Sequence, residues 1–250
     1  MAFSGANPAM KVNNFTVIES DYGKFIVNRH CAFQAESLIK TGLPHIQGEL
    51  HTILTLINLL PESCVVVDAG ANIGLVALPV AQAVLARGGV VHAFEVQRML
   101  YYALCGSAAL NDLENLIVHN RALGRSSGIL SAGKPDYGKP QDFGMFSLVE
   151  QDDARPERVE CVTVDSLDLP RLDFLKVDVE GMEIDVLDGA RASIDRHLPW
   201  CWIEYWKVNL ADIKARFDGL DYKFYIMDKL NMLCAPAGKM GRLRITAAEA

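Results

Sequence analysis

The chain has 250 residues, of which 50% are hydrophobic and 22% are charged, and its formal net charge is -7. This length and composition suit a globular protein with a sizeable buried core. Lysine and arginine are scattered along the acidic chain. We therefore expect no nucleic-acid partner, because a phosphate backbone requires a basic surface.

Cysteine spacing and apolar segments exclude further classes. The six cysteines never occur in a CxxC spacing, which argues against a zinc site or a redox pair. The N-terminus lacks the basic segment and apolar run of a signal peptide. The most apolar stretch, residues 73–86, contains Pro79 and Gln82 and is too short to span a bilayer. We expect no membrane association and a cytoplasmic location.

The N-terminal region predicts a hairpin and a helix. Residues 15–19 and 24–28 flank a turn at 21–23, which is typical of a β-hairpin. Residues 49–60 carry apolar side chains at helical spacing and end before Pro61. We interpret residues 1–60 as an N-terminal extension and residues 61–245 as the core of one domain that spans residues 1–250.

Strand and helix patterns alternate from residue 64 onward. Strands are predicted at 64–68, 90–95, 116–120, 159–164, 174–178 and 202–205. Helices are predicted after the first strand up to Arg87, and at 99–111 and 182–194. Residues 222–227 and 232–235 predict a terminal hairpin. The Gly- and Pro-rich residues 124–160 predict a long active-site loop with one or two short strands. The alternation predicts a doubly wound, Rossmann-like α/β sheet.

The turn after the first buried strand carries the strongest functional signal. It begins at Asp68 and contains Gly70-x-Asn72-x-Gly74 before a helix. Glycine lets the backbone approach a ligand closely, and the helix N-terminus offers unpaired N–H groups. The turn predicts a cofactor site, although glycine turns and strand-ending acids also occur without a ligand.

Two acids indicate which cofactor this site would take. A dinucleotide site would have G-x-G-x-x-G spacing, and Asp68 would repel a pyrophosphate. S-adenosylmethionine has no phosphate and offers an ammonium group. Glu95 ends the next strand, where a carboxylate can accept hydrogen bonds from both ribose hydroxyls. The pattern therefore favours S-adenosylmethionine over NAD.

Five sequence blocks resemble the FkbM-type family of class I S-adenosylmethionine-dependent methyltransferases. They are VVVDAGANIGL at 65–75, HAFEV at 92–96, VTVDSL at 162–167, FLKVDVEGMEIDVLDGA at 174–190 and WIEYW at 202–206. The resemblance implies a seven-stranded sheet with an antiparallel last strand and a catalytic core over residues 61–245. Val96 and the pair Tyr205-Trp206 depart from residues common in the family, and the latter pair would alter the substrate pocket.

The resemblance also implies a set of cofactor-binding residues. The turn residues would hold the methionine half, Glu95 the ribose, and two residues after the third strand would lie near the adenine. An acid near the first helix would face the cofactor. The complete set is Glu49, Asp68, Gly70, Ala71, Asn72, Gly74, Glu95, Asn120 and Ala122.

Catalytic candidates lie at and after the end of the strand predicted at 174–178. Asp178 ends this strand where the crevice opens, and Lys176 points to the same side of the strand. We predict Asp178 as a base for the acceptor, with Glu180 and Lys176 as further catalytic residues. Non-catalytic roles stay open for both further residues. Glu180 would begin the next helix, where an acid interacts favourably with the helix dipole. Lys176 would be structural, or would lower the pKa of a paired acid.

A metal site has weaker support. Glu204 lies near the end of the strand predicted at 202–205. Together with Asp178 and Glu180 it offers the hard oxygen ligands that suit Mg²⁺. No histidine or further carboxylate spacing supports such a site, so we predict no metal.

Aromatic residues of the long loop are the candidates for gripping a substrate. Tyr137, Phe143 and Phe146 all lie between residues 124 and 160. His45 and His51 flank Glu49 at the predicted edge of the cofactor site, and no other pattern supports a catalytic role for them.

The leading functional hypothesis is O-methylation of a hydroxyl on a sugar or natural-product small molecule. The alternatives are N-methylation of a peptide or amide side chain, and a non-catalytic nucleotide-binding module. An NAD-dependent dehydrogenase is disfavoured by the turn spacing. The sequence gives neither the acceptor nor the oligomeric state.

Overall fold

The chain opens with a hairpin and two helices. The computed structural model describes residues 13–31, 34–145 and 156–239. Strands β1 (Phe15–Ser20) and β2 (Gly23–Asn28) pair as the predicted hairpin. Helices α1 (Gln34–Thr41) and α2 (Gln47–Ile57) follow. Helix α2 corresponds to the helix predicted at 49–60, whereas α1 has only two turns and escaped prediction.

Ten further strands and five further helices complete the described chain. The strands are β3 (Val65–Ala69), β4 (Val90–Phe94), β5 (Leu116–His119), β6 (Ala122–Leu123), β7 (Gly128–Ala132), β8 (Glu157–Val162), β9 (Phe174–Val177), β10 (Trp200–Glu204), β11 (Tyr222–Ile226) and β12 (Asn231–Pro236). The helices are α3 (Ala77–Leu85), α4 (Arg98–Leu110), α5 (Glu183–Asp188), α6 (Arg191–His197) and α7 (Leu210–Ala215).

Seven strands form the central sheet in the order β11-β12-β10-β9-β3-β4-β5. The pairs β3–β4, β4–β5, β3–β9 and β9–β10 are parallel, and β12 is antiparallel to both β10 and β11. This confirms the predicted doubly wound sheet with an antiparallel last strand. The carboxyl ends of the parallel strands lie at one edge, where ligands bind in open α/β sheets.

Strand β3 explains why the centre of the sheet was predictable. All five of its residues are buried, and Val66 packs into the apolar cluster on one face while Val67 packs into the cluster on the other. A strand covered by helices on both faces carries a continuous apolar run rather than an alternating one. The sequence CVVVD has this run.

The helix predicted at 182–194 is wrong, because the segment forms two helices. Helix α5 ends at Asp188, and α6 starts at Arg191. The Asp165 carboxylate accepts hydrogen bonds from the backbone N–H groups of Ala192 (3.0 Å) and Ser193 (2.7 Å). These are first-turn N–H groups of a new helix, and a distant acid caps them in place of a continuing helix.

Part of the 124–160 segment is a small sheet. Strand β8 pairs parallel with β6 and antiparallel with β7, in agreement with the prediction of short strands there. Residues 146–155, which include the predicted substrate-gripping Phe146, lie outside the described residues. Over residues 13–31, 34–145 and 156–239, no helix is both long and apolar enough to cross a membrane.

Candidate active site

A cavity of about 620 Å³ opens at the carboxyl ends of β3, β4, β9 and β10. The predicted site residues that line it are Glu49, Asp68, Gly70, Ala71, Asn72, Glu95, Ala122, Lys176, Asp178 and Glu180. Two predicted residues, Gly74 and Asn120, are not among the lining residues. The fold thus gathers predicted site residues separated by up to 131 positions around one cavity, from Glu49 to Glu180.

Glycine at position 70 allows two strand ends to meet. Gly70 has a φ of 83°, and a Cβ atom there would lie 1.8 Å from the backbone oxygen of Asp178. No side chain fits in that space, and the left-handed φ also disfavours one. This close approach brings the carboxylate-bearing segment after β9 against the turn after β3.

Gly74 and Asn120 support the site from behind. A Cβ atom at Gly74 would lie 2.1 Å from Leu78 Cδ1 and 2.4 Å from Leu104 Cδ1, so glycine permits the turn to pack on α3 and α4. The Asn120 side chain donates hydrogen bonds to the backbone oxygens of Glu95 (2.8 Å) and Val96 (3.1 Å). Both residues therefore fix the backbone that carries the cavity wall.

Asp68 is a buried acid that lacks a hydrogen-bond partner. It is 1% exposed, and neither carboxylate oxygen has such a partner among the described residues. The nearest cation is Lys176, with Nζ 3.4 Å from Asp68 Oδ1. Burial raises the pKa of Asp68, and the charge of Lys176 only partly opposes this rise. A buried carboxylate in this state favours a cationic or N–H-bearing ligand.

Lys176 joins Asp68 to the catalytic candidate Asp178. Its Nζ lies 3.1 Å from Asp178 Oδ2, while the lysine side chain is only 5% exposed. Burial by itself lowers the pKa of Lys176, but the negative charges of Asp178, Asp68 and Glu49 outweigh it and raise that pKa above its usual value. Lys176 is therefore a permanent ammonium group between two acids.

Glu95 presents both carboxylate oxygens at the end of β4. Its Oε2 accepts from the Asn72 backbone N–H (2.8 Å) and its Oε1 accepts from the Gln97 backbone N–H (2.7 Å). Burial raises the pKa of Glu95 to about 7, although the two backbone N–H groups favour the charged form. Each oxygen retains capacity for a further hydrogen bond, which suits a pair of ligand hydroxyls.

Glu49 closes the cavity from the first turn of α2. Its Oε1 accepts a hydrogen bond from Trp202 Nε1 at 3.1 Å, and the same indole N–H lies 3.1 Å from Asn231 Oδ1. Burial raises the pKa of Glu49 to about 7. The N-terminal extension and the last strand of the sheet thus meet at one tryptophan.

Three acids cluster at the ends of β9 and β10 in the wall of the cavity. Carboxylate oxygens of Asp178, Glu180 and Glu204 all lie within 4.8 Å of one another. Burial and the neighbouring acids raise the pKa of Glu204 to about 9. Two of these acids already pair with ammonium groups, Asp178 with Lys176 and Glu180 with Lys207. These ammonium groups compete with a divalent cation for the same carboxylates.

The interpretation of Tyr137 and Phe143 as substrate contacts is wrong. Phe143 is 2% exposed and belongs to the core, with its ring centroid 5.0 Å from that of Tyr137. The Asn28 side chain donates to the Tyr137 backbone oxygen (3.0 Å), and Gln97 Nε2 donates to the Phe143 oxygen (2.7 Å). These rings anchor the loop on the N-terminal hairpin and on the segment after β4, and neither lines the cavity.

Other lining residues were not singled out by the sequence. Gln34, Asp142 and Asn231 line the cavity from α1, from the loop after β7 and from β12. None of them belongs to a recognisable motif, because the folding of distant segments places them. Of the Tyr205-Trp206 pair, which was expected to alter the substrate pocket, Trp206 lines the cavity and Tyr205 does not.

Comparisons with known proteins give a family model and solved structures that this chain resembles. The sequence model of the methyltransferase FkbM domain matches residues 68–225. A solved structure described as methyltransferase FkbM from Methylobacillus flagellatus KT is 19% identical with a TM-score of 0.51. The alignment covers 70% of this chain and 44% of that chain, so this chain spans less than half of that protein's length. No curated protein matches the sequence significantly.

Two further solved structures show lower similarity. Precorrin-6y C5,15-methyltransferase from Geobacter metallireducens GS-15 is 11% identical with a TM-score of 0.46, over 83% of this chain and 97% of that chain. The M. jannaschii protein TYW2, solved in complex with AdoMet, is 13% identical with a TM-score of 0.45, over 90% of this chain and 86% of that chain.

Proposed function

Because this chain belongs to the FkbM methyltransferase family, we propose that it transfers a methyl group from S-adenosylmethionine to a hydroxyl of a sugar or natural-product small molecule. The observation that carries the proposal is the close approach of Gly70 to the backbone of Asp178. It puts a partly exposed carboxylate beside the turn expected to hold the cofactor. A proton acceptor there suits a hydroxyl that must lose its proton as it is methylated.

The residues of the cavity fit S-adenosylmethionine. The cofactor supplies an electrophilic methyl group on a sulfonium centre. Asp68 would hold its ammonium group, because the buried oxygens of Asp68 lack hydrogen bonds in the described part of the chain. Glu95 would accept hydrogen bonds from the ribose hydroxyls with the capacity that each oxygen retains. Ala71 and Asn72 would line the methionine half, and Ala122 would lie near the adenine.

Asp178 would receive the proton of the acceptor hydroxyl. Its side chain is 35% exposed, and Lys176 Nζ at 3.1 Å orients the carboxylate. A positioned base contributes about 10²–10⁴-fold in rate. Holding the reacting atoms in line is worth about 7–11 kcal/mol, which exceeds the contribution of the base. We therefore expect the walls of the cavity to supply most of the rate enhancement.

The charge of the site supports a small acceptor over a nucleic acid. Asp178, Glu180 and Glu204 form an acidic cluster on the wall of the cavity. A phosphate backbone would meet these carboxylates without enough basic groups to neutralise it. A neutral hydroxylated acceptor meets no such repulsion.

N-methylation is the second candidate, and the same acid cluster favours it. An ammonium group would be attracted to the three carboxylates, and Asp178 would take its proton before transfer. A peptide or amide nitrogen would use the same groups. Hydroxyl and amine acceptors therefore have to be compared directly.

The test combines binding with methyl transfer. Calorimetry with S-adenosylhomocysteine should show binding, and labelled S-adenosylmethionine should transfer label to hydroxyl acceptors in preference to amines of the same size. Label found only on nitrogen would replace the first candidate with the second. Failure to bind S-adenosylhomocysteine in a folded protein would contradict both.

A further inference from the structure

An exposed tryptophan stands beside the acid cluster. Trp206 is 46% exposed and lines the cavity, whereas the other two tryptophans, Trp200 and Trp202, are buried in the sheet. Leu230 is also 46% exposed and lines the same cavity. Two exposed apolar side chains that line the same cavity offer a contact surface for a ligand.

The backbone keeps Trp206 and Leu230 together. The Tyr205 backbone N–H donates to the Leu230 oxygen at 2.7 Å, so the residue after Tyr205 lies next to the turn before β12. Glu204, which ends β10 two residues before Trp206, supplies one of the three clustered carboxylates. The apolar pair and the acids are therefore parts of one wall.

Lys207 links the tryptophan ring to the acids. Its Nζ lies 4.7 Å from the Trp206 ring centroid and pairs with the Glu180 carboxylate. An ammonium group near the electron-rich face of an indole is attracted to it. One side chain thus orients both the ring and a carboxylate that line the cavity.

The combination limits the chemistry of the acceptor. The ring face attracts weakly positive C–H groups, and the carboxyl groups of Asp178, Glu180 and Glu204 offer several oxygens to hydroxyl hydrogen bonds. A phenol or a simple alcohol offers one hydroxyl donor, whereas a sugar ring offers an apolar C–H face and several hydroxyls. Acidic residues outnumber basic ones along the cavity, so a phosphorylated or carboxylated acceptor would be disfavoured.

We propose, on the basis of the methyl-transfer function above, that Trp206 and Leu230 form a stacking site for a neutral pyranoside ring whose accepting hydroxyl reaches Asp178. The hydroxyl oxygen gains the methyl group as the methyl–sulfur bond breaks, S-adenosylhomocysteine is released, and the hydroxyl proton passes to Asp178. Trp206 is the specificity-determining residue, and Lys207 is a positioning residue.

Ligand-observed NMR titrations on protein saturated with S-adenosylhomocysteine test this site. The probes are methyl glycosides of hexoses, the matching acyclic alditols and the matching hexose phosphates. We expect at least one neutral glycoside to bind about tenfold more tightly than its alditol and its phosphate, because only the glycoside combines a flat apolar face with zero charge.

Variants assign the effect to the ring. Trp206→Ala should weaken glycoside binding about tenfold, and Trp206→Phe, which keeps an aromatic face, by about threefold or less. Tyr102→Ala is the matched control, since Tyr102 is an aromatic residue 55% exposed on α4 and outside the cavity. It should bind the glycoside as the wild type does. All three variants should bind S-adenosylhomocysteine normally, which also shows that they are folded.

The outcomes separate this proposal from the function on which it rests. Absence of glycoside binding, equal binding of hexose phosphates or unchanged affinity in Trp206→Ala would overturn the stacking site, even if methyl transfer to another hydroxyl is observed. Failure to bind S-adenosylhomocysteine would instead overturn the methyl-transfer function.

Discussion

Replacing Asp178 with asparagine tests the proposed base directly. The variant keeps the shape of the side chain but cannot accept a proton, so turnover should fall by about 10²-fold or more. Cofactor affinity should change little, since the Glu95 and Asp68 carboxylates are intact. Lys176 loses one charged partner but retains Asp68 at 3.4 Å, and the amide oxygen of asparagine can still accept from Nζ. The loss of unfolding free energy should therefore be about 1 kcal/mol, because a partly exposed ion pair contributes little.

Asp185→Asn is a suitable control for the removal of a charge. Asp185 is 37% exposed and pairs with Arg125 at 3.0 Å, which resembles Asp178 in exposure and ion pairing, but it does not line the cavity. Turnover, S-adenosylhomocysteine affinity and melting temperature should be measured on both variants. A wild-type rate in folded Asp178→Asn would refute the role of Asp178 as base. A rate that falls only together with cofactor affinity would show that Asp178 positions the cofactor instead.

Three further predictions concern the cofactor side of the cavity. Glu95→Ala should weaken S-adenosylhomocysteine binding by about 2–3 kcal/mol, since hydrogen bonds to a carboxylate contribute about 1.5–3 kcal/mol each and do not add fully. Unchanged affinity in calorimetry would exclude Glu95 as the ribose ligand. Burial raises the pKa of Glu49 and of Glu95 to about 7, so the folded state binds more protons than the unfolded state above the usual glutamate value of 4.5. The free energy of unfolding of the cofactor-free protein should therefore fall as the pH rises from 5 to 7.5. Glu95→Gln should make the melting temperature depend less steeply on pH over this range. An equally steep dependence in the variant would show that the Glu95 carboxyl does not contribute to it. Gly70→Ala should destabilise the fold far more than Gly219→Ala. The two glycines have nearly the same φ, 83° and 82°, but an added Cβ atom would lie 1.8 Å from another atom at Gly70 and would have no atom within 4 Å at Gly219. Equal shifts in denaturant midpoint would show that backbone strain alone matters.

The central sheet and the cofactor turn could be predicted because local sequence determines them. The apolar run of β3 requires burial on both faces, and the glycine at position 70 is required by its φ and by the Asp178 backbone. Parallel strands also end at one edge, so Asp68, Glu95 and Asp178 had to meet there. These features depend on a few adjacent residues and on general rules of sheet geometry.

Contacts between distant residues determine the features that could not be predicted. Tyr137 packs on Phe143 and does not line the cavity, and Asn28, 109 residues earlier, binds its backbone oxygen. The break between α5 and α6 depends on the Asp165 carboxylate, which lies far from the helix in sequence. Helix α7 is too short to show a period, although Asn209, whose Oδ1 accepts from the Ala211 N–H at 2.8 Å, is a helix-capping signal visible in the sequence.

The position of β12 has a consequence for the order of folding. This strand is the last of the sheet in chain order, yet it lies between β10 and β11, and β11 pairs with no other strand among the described residues. During synthesis, the edge of β10 stays unpaired until residues 231–236 have left the ribosome and can form β12 beside it. The same strand brings Asn231 to Trp202 and Glu49. The wall of the cavity that contains Asn231 is therefore completed only when β12 closes the sheet.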